Sequence, residues 1–276
     1  MEQILSCPVC GAPLSLIERS YRCPSGHNFD IAKQGYVNLL PAKGGTVHGD
    51  NALMIGARAR FLARGYYTPL AEAFSEAVAK HAQSGCVFLD VGCGEGYYTE
   101  WAAKALAEKA AQILAFDISK DAVKATAKRR LGATLFAASA YAVPVLSERV
   151  DIASLLFSPF CKEELARVLK KDGILIMAYP GKKHLWGLKC AVYDTPYENK
   201  PEDTAIEGFT LLEERVITDV ITLGSGDEIM DLFAMTPYYY KTGEGDKEKL
   251  ATRSSLITEI EFHLCIYQKN YNTQQK

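Results

Sequence analysis

One run of residues combines an acidic side chain with evenly spaced glycines: Leu89-Asp90-Val91-Gly92-Cys93-Gly94-Glu95-Gly96-Tyr97-Tyr98-Thr99. The apolar segment from Cys86 to Leu89 reads as a strand that leads into Asp90. Glycine lets a backbone turn sharply and approach a ligand without an intervening Cβ atom. A doubly wound sheet presents nucleoside-bearing ligands in this way, at the carboxyl end of its first strand. The run therefore predicts a ligand loop.

The glycine spacing separates the possible ligands. A dinucleotide fingerprint needs a glycine where Tyr97 stands, and a phosphate-cradling loop needs a lysine that this run lacks. The pattern acidic-x-Gly-x-Gly-x-Gly resembles motif I of class I S-adenosylmethionine (SAM) methyltransferases. SAM has an amino-acid end, a sulfonium and an adenosine. The resemblance implies cofactor contacts at Asp90, Gly92, Gly94, Glu95 and Gly96.

A second acidic residue is expected at the end of the second strand. Residues 112–116 read as that strand, and Asp117 closes it. A carboxylate there can accept hydrogen bonds from both ribose hydroxyls. The alternative interpretation is that Asp117 only caps the helix that starts near Ser119. The upstream glycine loop favours ribose binding.

The first forty residues contain four side chains with metal-ligand spacing. Cys7, Cys10, Cys23 and His27 follow the pattern C-x2-C-x12-C-x3-H. Three thiolates and one imidazole make a closed tetrahedral zinc site. A structural zinc supplies stability that so short a unit lacks on its own. Disulfides are the alternative, and a reducing compartment argues against them. The remaining cysteines we expect to be small buried hydrophobes: Cys86, Cys93, Cys161, Cys190 and Cys265.

Composition limits the class of protein. The 276 residues are 48% hydrophobic, which suffices for one large domain and a small appendage. No run approaches the roughly 20 apolar residues of a membrane helix, and the start Met-Glu-Gln-Ile-Leu does not resemble a signal peptide. We therefore expect a cytoplasmic protein. The net charge of −2 argues against a uniformly basic nucleic-acid binder. Residues 1–70 carry seven basic and four acidic side chains, an excess of +3 that is compatible with RNA contact through this part.

Alternating strands and helices predict the elements that position these residues. We expect strands near 86–90, 112–117, 133–138, 150–157 and 173–179, with helices near 97–109, 119–130 and 161–170. This alternation indicates an α/β fold, a doubly wound, mostly parallel sheet. Residues 215–223 and 256–267 read as a terminal antiparallel pair. The predicted domains are a zinc-binding module (1–40), a linker with covering helices (41–85) and a SAM-binding methyltransferase domain (86–276). The linker begins with a flexible connector over residues 41–50, and residues 270–276 read as a disordered tail.

Five segments together resemble one family: the two ligand segments Cys7-Pro8-Val9-Cys10 and Cys23-Pro24-Ser25-Gly26-His27, the run Phe29-Asp30-Ile31-Ala32-Lys33-Gln34-Gly35-Tyr36-Val37-Asn38-Leu39-Leu40, the glycine loop, and the run Cys161-Lys162-Glu163-Glu164-Leu165-Ala166-Arg167-Val168-Leu169. The chain resembles the RlmA-type 23S rRNA guanine-N1 methyltransferases, which include a macrolide-resistance branch. The resemblance covers nearly the whole chain. It implies a zinc module that helps to hold an rRNA hairpin, a SAM-binding sheet and often a homodimer.

The resemblance also implies cofactor contacts at Tyr67, Gly94, Glu95 and His184. By itself, His184 could equally be a residue that starts a helix. Tyr67 precedes Thr68-Pro69, which favours a helix edge where an exposed aromatic ring can reach the glycine loop.

The sequence names no general base, although guanine N1 carries a proton at neutral pH. The segment Phe157-Ser158-Pro159-Phe160 lacks the Asn/Asp-Pro-Pro pattern of enzymes that act on exocyclic amines. Phe160 separates Cys161 from the proline, so a nucleophilic cysteine is disfavoured. Trp186 or Tyr238-Tyr239-Tyr240 could stack on a base, although packing against the sheet is the stronger expectation for most of them.

Methylation of guanine N1 in a 23S rRNA hairpin loop is thus the leading hypothesis, with SAM and zinc as cofactors and 23S rRNA as partner. Two alternatives stay open. One is a small-molecule SAM methyltransferase with a structural zinc module. The other is a non-catalytic RNA-binding protein that retains SAM.

Overall fold

The computed structural model describes residues 3–41, 49–200 and 203–270. Most of the predicted flexible connector (residues 42–48) and of the predicted disordered tail (residues 271–276) lie outside the described residues. In the part of the chain that is described, no helix is both long and apolar enough to cross a membrane.

Strands and helices alternate through the middle of the chain. The strands are β1 (Ser15–Ile17), β2 (Ser20–Arg22), β3 (Asn28–Asp30), β4 (Tyr36–Asn38), β5 (Val87–Val91), β6 (Gln112–Asp117), β7 (Thr134–Ala137), β8 (Val150–Leu156), β9 (Leu169–Pro180), β10 (Phe209–Leu223) and β11 (Leu256–Lys269). The helices are α1 (Ala52–Ala63), α2 (Thr68–His81), α3 (Tyr97–Ala105), α4 (Lys120–Lys128), α5 (Lys162–Val168), α6 (Trp186–Val192), α7 (Gly226–Ala234) and α8 (Glu244–Ala251).

One large sheet organises the molecule, with strand order β10-β11-β9-β8-β5-β6-β7-β4. The strands from β9 to β4 pair in parallel. β11 lies between β9 and β10 and runs antiparallel to both. The predicted doubly wound α/β sheet and its terminal antiparallel pair are confirmed. The strand order reverses between β5 and β8, and ligands bind beside such a reversal, at the carboxyl ends of the strands.

The central strands are apolar because both faces of the sheet are covered. Phe88 of β5 packs into a core with α2 and α6, and its neighbours Val87 and Leu89 pack into a second core on the other face. All five residues of β5 are buried. This rigid strand carries the glycine loop.

Two helices precede β5, as predicted. The Asn51 side chain accepts a hydrogen bond from the Met54 amide and so caps α1, and Pro69 lies in the first turn of α2. These helices pack on the sheet face that also carries α6. Helices α6, α7 and α8 were not predicted, because they lie outside the regular alternation of the central region.

The N-terminal unit forms a separate small sheet, β1-β2-β3, in which β1 and β2 form an antiparallel hairpin. β4 does not belong to that sheet, because it pairs in parallel with β7 at the edge of the large one. Leu5 forms an isolated bridge with Val145, and its side chain lies in the core beneath the large sheet. A division of the chain near residue 40 stays a proposal, since strand pairing crosses it.

Candidate functional site

The four predicted metal ligands lie together at the N-terminal end of the molecule. The ligand atoms of Cys7, Cys10, Cys23 and His27 lie within 4.8 Å of one another. The Cys10 and Cys23 sulfurs are 3.7 Å apart, and His27 Nδ1 is 3.5 Å from the Cys7 sulfur and 3.3 Å from that of Cys23. Sulfurs bound to one zinc at about 2.3 Å lie about 3.8 Å apart on a tetrahedron. The donor set and its spacing fit zinc.

Two tight turns bring these ligands together. The Gly11 amide donates to the Cys7 carbonyl, and the Gly26 amide donates to the Cys23 carbonyl. The Cys23 amide in turn donates to the His27 carbonyl and closes the second turn. All eight cysteines lie in the described part of the chain as free thiols, and the clustering of three of them with His27 supports zinc binding over the disulfide alternative.

The predicted burial of the other cysteines holds for Cys86, Cys93 and Cys265 and is wrong for two. Cys161 is partly exposed and Cys190 is exposed. Both lie at helices that cover the sheet, and neither faces the interior.

The glycine loop leaves the carboxyl end of β5 and needs glycine for two different reasons. Gly92 has a φ of +77°, and a Cβ atom there would lie 1.8 Å from Ser158 Oγ. Gly96 has a φ of +86° and begins α3, where a Cβ would lie 2.8 Å from Thr126 Cγ2. The backbone is therefore fitted closely between the segment after β8 and helix α4.

Asp117 holds the middle of this loop. Its Oδ2 accepts a hydrogen bond from the Gly94 amide at 3.0 Å, and its Oδ1 accepts one from the Ser119 amide at 2.8 Å. Ser119 itself caps α4 by accepting from the Ala122 amide, so Asp117 is not the helix cap. Burial raises the pKa of Asp117, and the hydrogen bonds from the Ser119 and Gly94 amides oppose that rise. A carboxylate fixed here retains acceptor capacity for ribose hydroxyls.

Asp90 lies beneath the loop and is buried. Its two carboxylate oxygens accept from the Thr99 hydroxyl at 2.5 Å and from the Ser154 hydroxyl at 2.8 Å. Burial raises the pKa of Asp90 to about 6. The side chain ties α3 and β8 to the end of β5, so it supports the loop from below. Its proposed role in cofactor binding is therefore one of positioning.

Glu95 is buried on the side of the glycine loop that faces away from Asp90. One carboxylate oxygen pairs with Arg129, and the Arg129 Nε donates to the Glu95 carbonyl at 2.7 Å. The other oxygen, Oε1, is buried and has no hydrogen-bond partner among the described residues. The Tyr98 hydroxyl is also buried and has no hydrogen-bond partner among the described residues. Two buried polar atoms without partners beside a glycine loop fit a site that a polar ligand completes.

The two more distant predicted contacts lie against each other. His184 Nε2 is 3.4 Å from the Tyr67 hydroxyl, and His184 Nδ1 accepts from the Glu261 amide at 3.2 Å. Burial lowers the pKa of His184 to about 3, so the ring is neutral. Because Nδ1 accepts the Glu261 amide, the single ring proton lies on Nε2. The expectation of an exposed Tyr67 is wrong, because its ring packs against Phe61 and Phe262 and is 3% exposed.

Sequence reasoning missed Arg58. Helix α1 places its guanidinium over the glycine loop, where a Cβ on Gly94 would lie 3.5 Å from Nη1. Nη1 pairs with Asp50 at 2.6 Å, and Nη2 donates to the Met235 carbonyl at 3.3 Å. The basic excess of residues 1–70 was the only signal, and it did not distinguish Arg58 from Arg60 or Arg64.

Phe157 follows β8 directly and adopts a φ of +60°, which is unusual for a bulky residue. Its ring is 45% exposed and lies 6.3 Å from the Tyr98 ring. The next residue, Ser158, contacts the Gly92 carbonyl at 3.3 Å. Phe157 therefore presents an aromatic face beside the glycine loop.

The four aromatic residues that could stack on a base differ in their surroundings. Tyr238 donates to Asn199 and packs on Tyr193, and Tyr239 packs on Phe233. Tyr240 is exposed, and the Trp186 ring is covered by the Lys183 ammonium at 4.1 Å. Packing is thus the main role of Tyr238 and Tyr239.

The sheet order, the glycine loop and the acidic residue after β6 together define a class I SAM-dependent methyltransferase with a zinc ribbon. A family model described as RlmA, N-terminal, matches residues 5–44, and one described as a methyltransferase domain matches residues 88–173. SAM and zinc are the cofactors that these features define.

Curated relatives narrow the class to a family. A Streptomyces fradiae protein named 23S rRNA (guanine(748)-N(1))-methyltransferase is 36% identical, over 66% of this chain and 65% of its own length. Two proteins provisionally named 23S rRNA (guanine-N(1)-)-methyltransferase also match. The one from Micromonospora griseorubida is 38% identical, over 66% of this chain and 67% of its own length. The one from Bacillus subtilis (strain 168) is 32% identical, over 74% of each chain. The chain belongs to this family, the RlmA-type 23S rRNA guanine-N1 methyltransferases.

Proposed function

We propose that this protein transfers the methyl group of SAM to N1 of a guanine in a hairpin loop of 23S rRNA. The observation that carries the proposal is the combination in one chain of the RlmA-type zinc ribbon and the SAM-type glycine loop. Relatives that are 36% and 38% identical to this chain are named for this reaction. Substrate and partner thus come from family membership, and the chemistry comes from the site.

The cofactor supplies a methyl carbon that its sulfonium charge has already activated. In the proposed site, Asp117 holds the ribose hydroxyls, while Gly94 and Glu95 line the amino-acid end. Tyr67 and His184 close the wall behind the loop, where His184 Nε2 donates to the Tyr67 hydroxyl. Gly92 and Gly96 let the backbone approach closely, and Asp90 keeps that backbone in place from below.

Neither His184 nor Asp90 is suited to accept the proton of guanine N1. His184 has both ring nitrogens in contacts, and burial holds its pKa at about 3, so it is a poor base. Both oxygens of Asp90 are likewise engaged beneath the loop. The enzyme's main contribution is therefore alignment of the base with the methyl group, which can lower a barrier by about 7–11 kcal/mol.

Phe157 supports presentation of an unstacked base. Bases recognised in RNA loops stack on aromatic side chains. Phe157 offers such a face at the carboxyl end of β8, next to the reversal of strand order. An exposed bulky residue with a positive φ indicates a role other than packing.

The zinc ribbon supports RNA contact. It exposes Arg19 together with the apolar side chains of Val9, Leu16 and Ile17. Basic and apolar groups on one small module suit a backbone and its splayed bases. Because the proposed substrate is ribosomal RNA, we place the protein in the cytoplasm.

A homodimer is also proposed. It is supported by the family resemblance and by exposed apolar side chains on the terminal pair of strands, namely Val216, Val220 and Ile257. Light scattering during size-exclusion chromatography measures the mass directly. A monomeric mass at micromolar concentration would contradict this part of the proposal.

The decisive experiment incubates the protein with SAM carrying a labelled methyl group and unmodified 23S rRNA, followed by mapping of the labelled base. We expect 1-methylguanosine in one hairpin loop. Label incorporated without RNA would favour the small-molecule alternative. Tight RNA binding without any transfer would favour the non-catalytic one.

A matched variant tests whether the zinc ribbon takes part. Deleting residues 1–40 would also remove β4 from the large sheet, so Cys10→Ser is the better change. We expect loss of rRNA methylation with SAM affinity retained, because the glycine loop lies in the other part of the molecule. Full methylation by the variant would contradict a role for the ribbon.

A further inference from the structure

Arg58 is the strongest unassigned charge in the cofactor site. Its guanidinium lies over Gly94, in the middle of the glycine loop, and a Cβ on that glycine would lie 3.5 Å from Nη1. The side chain is 26% exposed, so most of it is inside the site. Nothing in the resemblance or in the loop motif points to this residue.

The positive charge of Arg58 also acts on groups at both sides of the glycine loop. Burial raises the pKa of Asp117, Tyr67 and Tyr98, and the positive charge of Arg58 opposes that rise in all three. Asp117 marks the ribose side, and Tyr67 with Tyr98 marks the other wall. With its Nη1 over Gly94, Arg58 lies beside the space that a ligand on the loop would occupy.

The polar groups around this space complement an α-amino acid. Glu95 Oε1 is buried without a hydrogen-bond partner among the described residues, and a buried acceptor suits an ammonium group. A guanidinium suits a carboxylate. Arg58 carries five N–H donors, and its contacts with Asp50 and the Met235 carbonyl leave donors for a second anion.

We infer that Arg58 binds the carboxylate of the amino-acid end of SAM, opposite Glu95, and so sets selectivity for a cofactor with an intact amino-acid end. Asp50 is then a positioning residue that fixes the guanidinium over Gly94. Its own place is fixed because its carbonyl accepts from the Ser119 hydroxyl at 2.6 Å. This inference concerns the cofactor and does not depend on the RNA substrate proposed above.

The test compares two ligands that differ by one carboxylate, SAM and decarboxylated SAM. Their dissociation constants are measured by calorimetry on the full chain with zinc bound and without RNA. We expect the natural protein to prefer SAM. Arg58→Met should raise the dissociation constant for SAM about 10- to 100-fold, the usual effect of losing a charge-assisted pair. The dissociation constant for decarboxylated SAM should change by no more than about threefold.

Controls separate this contact from a structural effect. Arg60→Met removes a neighbouring arginine of α1 that pairs with Asp231, and we expect it to leave the ratio of the two constants unchanged. Arg58→Lys keeps the charge and loses the planar fork, so a smaller, carboxylate-dependent loss is expected. This variant decides the question if Arg58→Met does not fold.

Two outcomes would overturn the inference. Equal weakening of both ligands would show that Arg58 only supports the site. Unchanged binding of both would show that it does not contact the cofactor. A failure of rRNA methylation in the natural protein would bear on the proposed function and not on these constants.

Discussion

The zinc ribbon and the cofactor site are built on opposite physical principles. The ribbon's strands β1, β2 and β3 are three residues each, and four ligand atoms hold its turns together. The cofactor site stands on an eight-stranded sheet with apolar cores on both faces, and its side chains come from positions 58 to 184. One region depends on a metal for its stability, and the other depends on burial. Perturbations should therefore separate them.

Zinc removal should produce the largest effect. Structural zinc in small modules contributes about 10–16 kcal/mol of apparent binding free energy, so chelation should unfold residues 7–30. The sheet should persist, because β5 is buried on both faces. Hydrogen exchange read by mass spectrometry measures both regions in one sample.

β4 sharpens this comparison. It lies beside the ribbon in sequence but pairs with β7, so its amides should stay protected after chelation. Loss of protection in β5 and β6 on the same timescale as the ribbon would contradict the separation of the two regions.

Gly92→Ala should have the next largest effect, within the cofactor site alone. The new Cβ would meet Ser158 Oγ at 1.8 Å, and the φ of +77° is unfavourable for alanine. We expect a loss of about 2–5 kcal/mol in the free energy of unfolding, measured with urea.

Gly94→Ala is the matched control for that change. Its Cβ would lie 3.5 Å from Arg58, so only backbone strain of about 1–2 kcal/mol applies. Adding Ser158→Gly to Gly92→Ala should restore part of the loss. Equal effects at Gly92 and Gly94 would contradict the close fit described for the loop.

Buried His184 makes the free energy of unfolding depend on pH. The pKa of His184 is lowered from 6.5 to about 3 in the folded protein, so its contribution to stability is complete above pH 6.5 and is lost as the pH falls below that value. Between pH 7 and pH 5 the loss is about 2 kcal/mol. The measurement is the urea-unfolding free energy of the natural protein and of His184→Gln at both pH values. The same pH dependence in the variant would refute this assignment.

Phe157→Ala should have the smallest effect on stability and a selective one on activity. Its ring is nearly half exposed, and stacking on one base contributes about 1–3 kcal/mol, so kcat/KM for RNA should fall about tenfold. Phe157→Leu keeps the apolar bulk and loses the aromatic face, whereas Phe157→Tyr keeps both. Quenching of a fluorescent guanine analogue in the hairpin measures the stacking directly. Unchanged quenching in Phe157→Ala would exclude this ring as the stacking surface.

Short-range patterns were sufficient for the zinc ligands and the glycine loop. Cys7 and Cys10 share one turn and Cys23 and His27 share another, so their spacing already restricts the geometry. The strands around the loop were predictable for a similar reason, since β5 and β6 are apolar and bounded by turn residues. The element order followed, and with it the class of fold.

Residues brought together from distant positions were not predictable in the same way. Arg58 and Gly94 meet only because α1 packs over the carboxyl end of the sheet. Glu95 is engaged by Arg129, which lies at the end of α4. No periodicity marks such pairs, because their distance in the chain is set by intervening elements.

Sequence alone determined the donor set for zinc, the backbone that can approach a nucleoside, and the acidic residue that follows β6. Each is a property of residue type and local spacing, and neither depends on how the rest of the chain folds. Tertiary structure decided which side chains face that backbone: it buried Tyr67, neutralised His184, exposed Phe157 and placed Arg58 over the loop. Burial and proximity fix charge and accessibility, and both arise only when separate elements pack against one sheet.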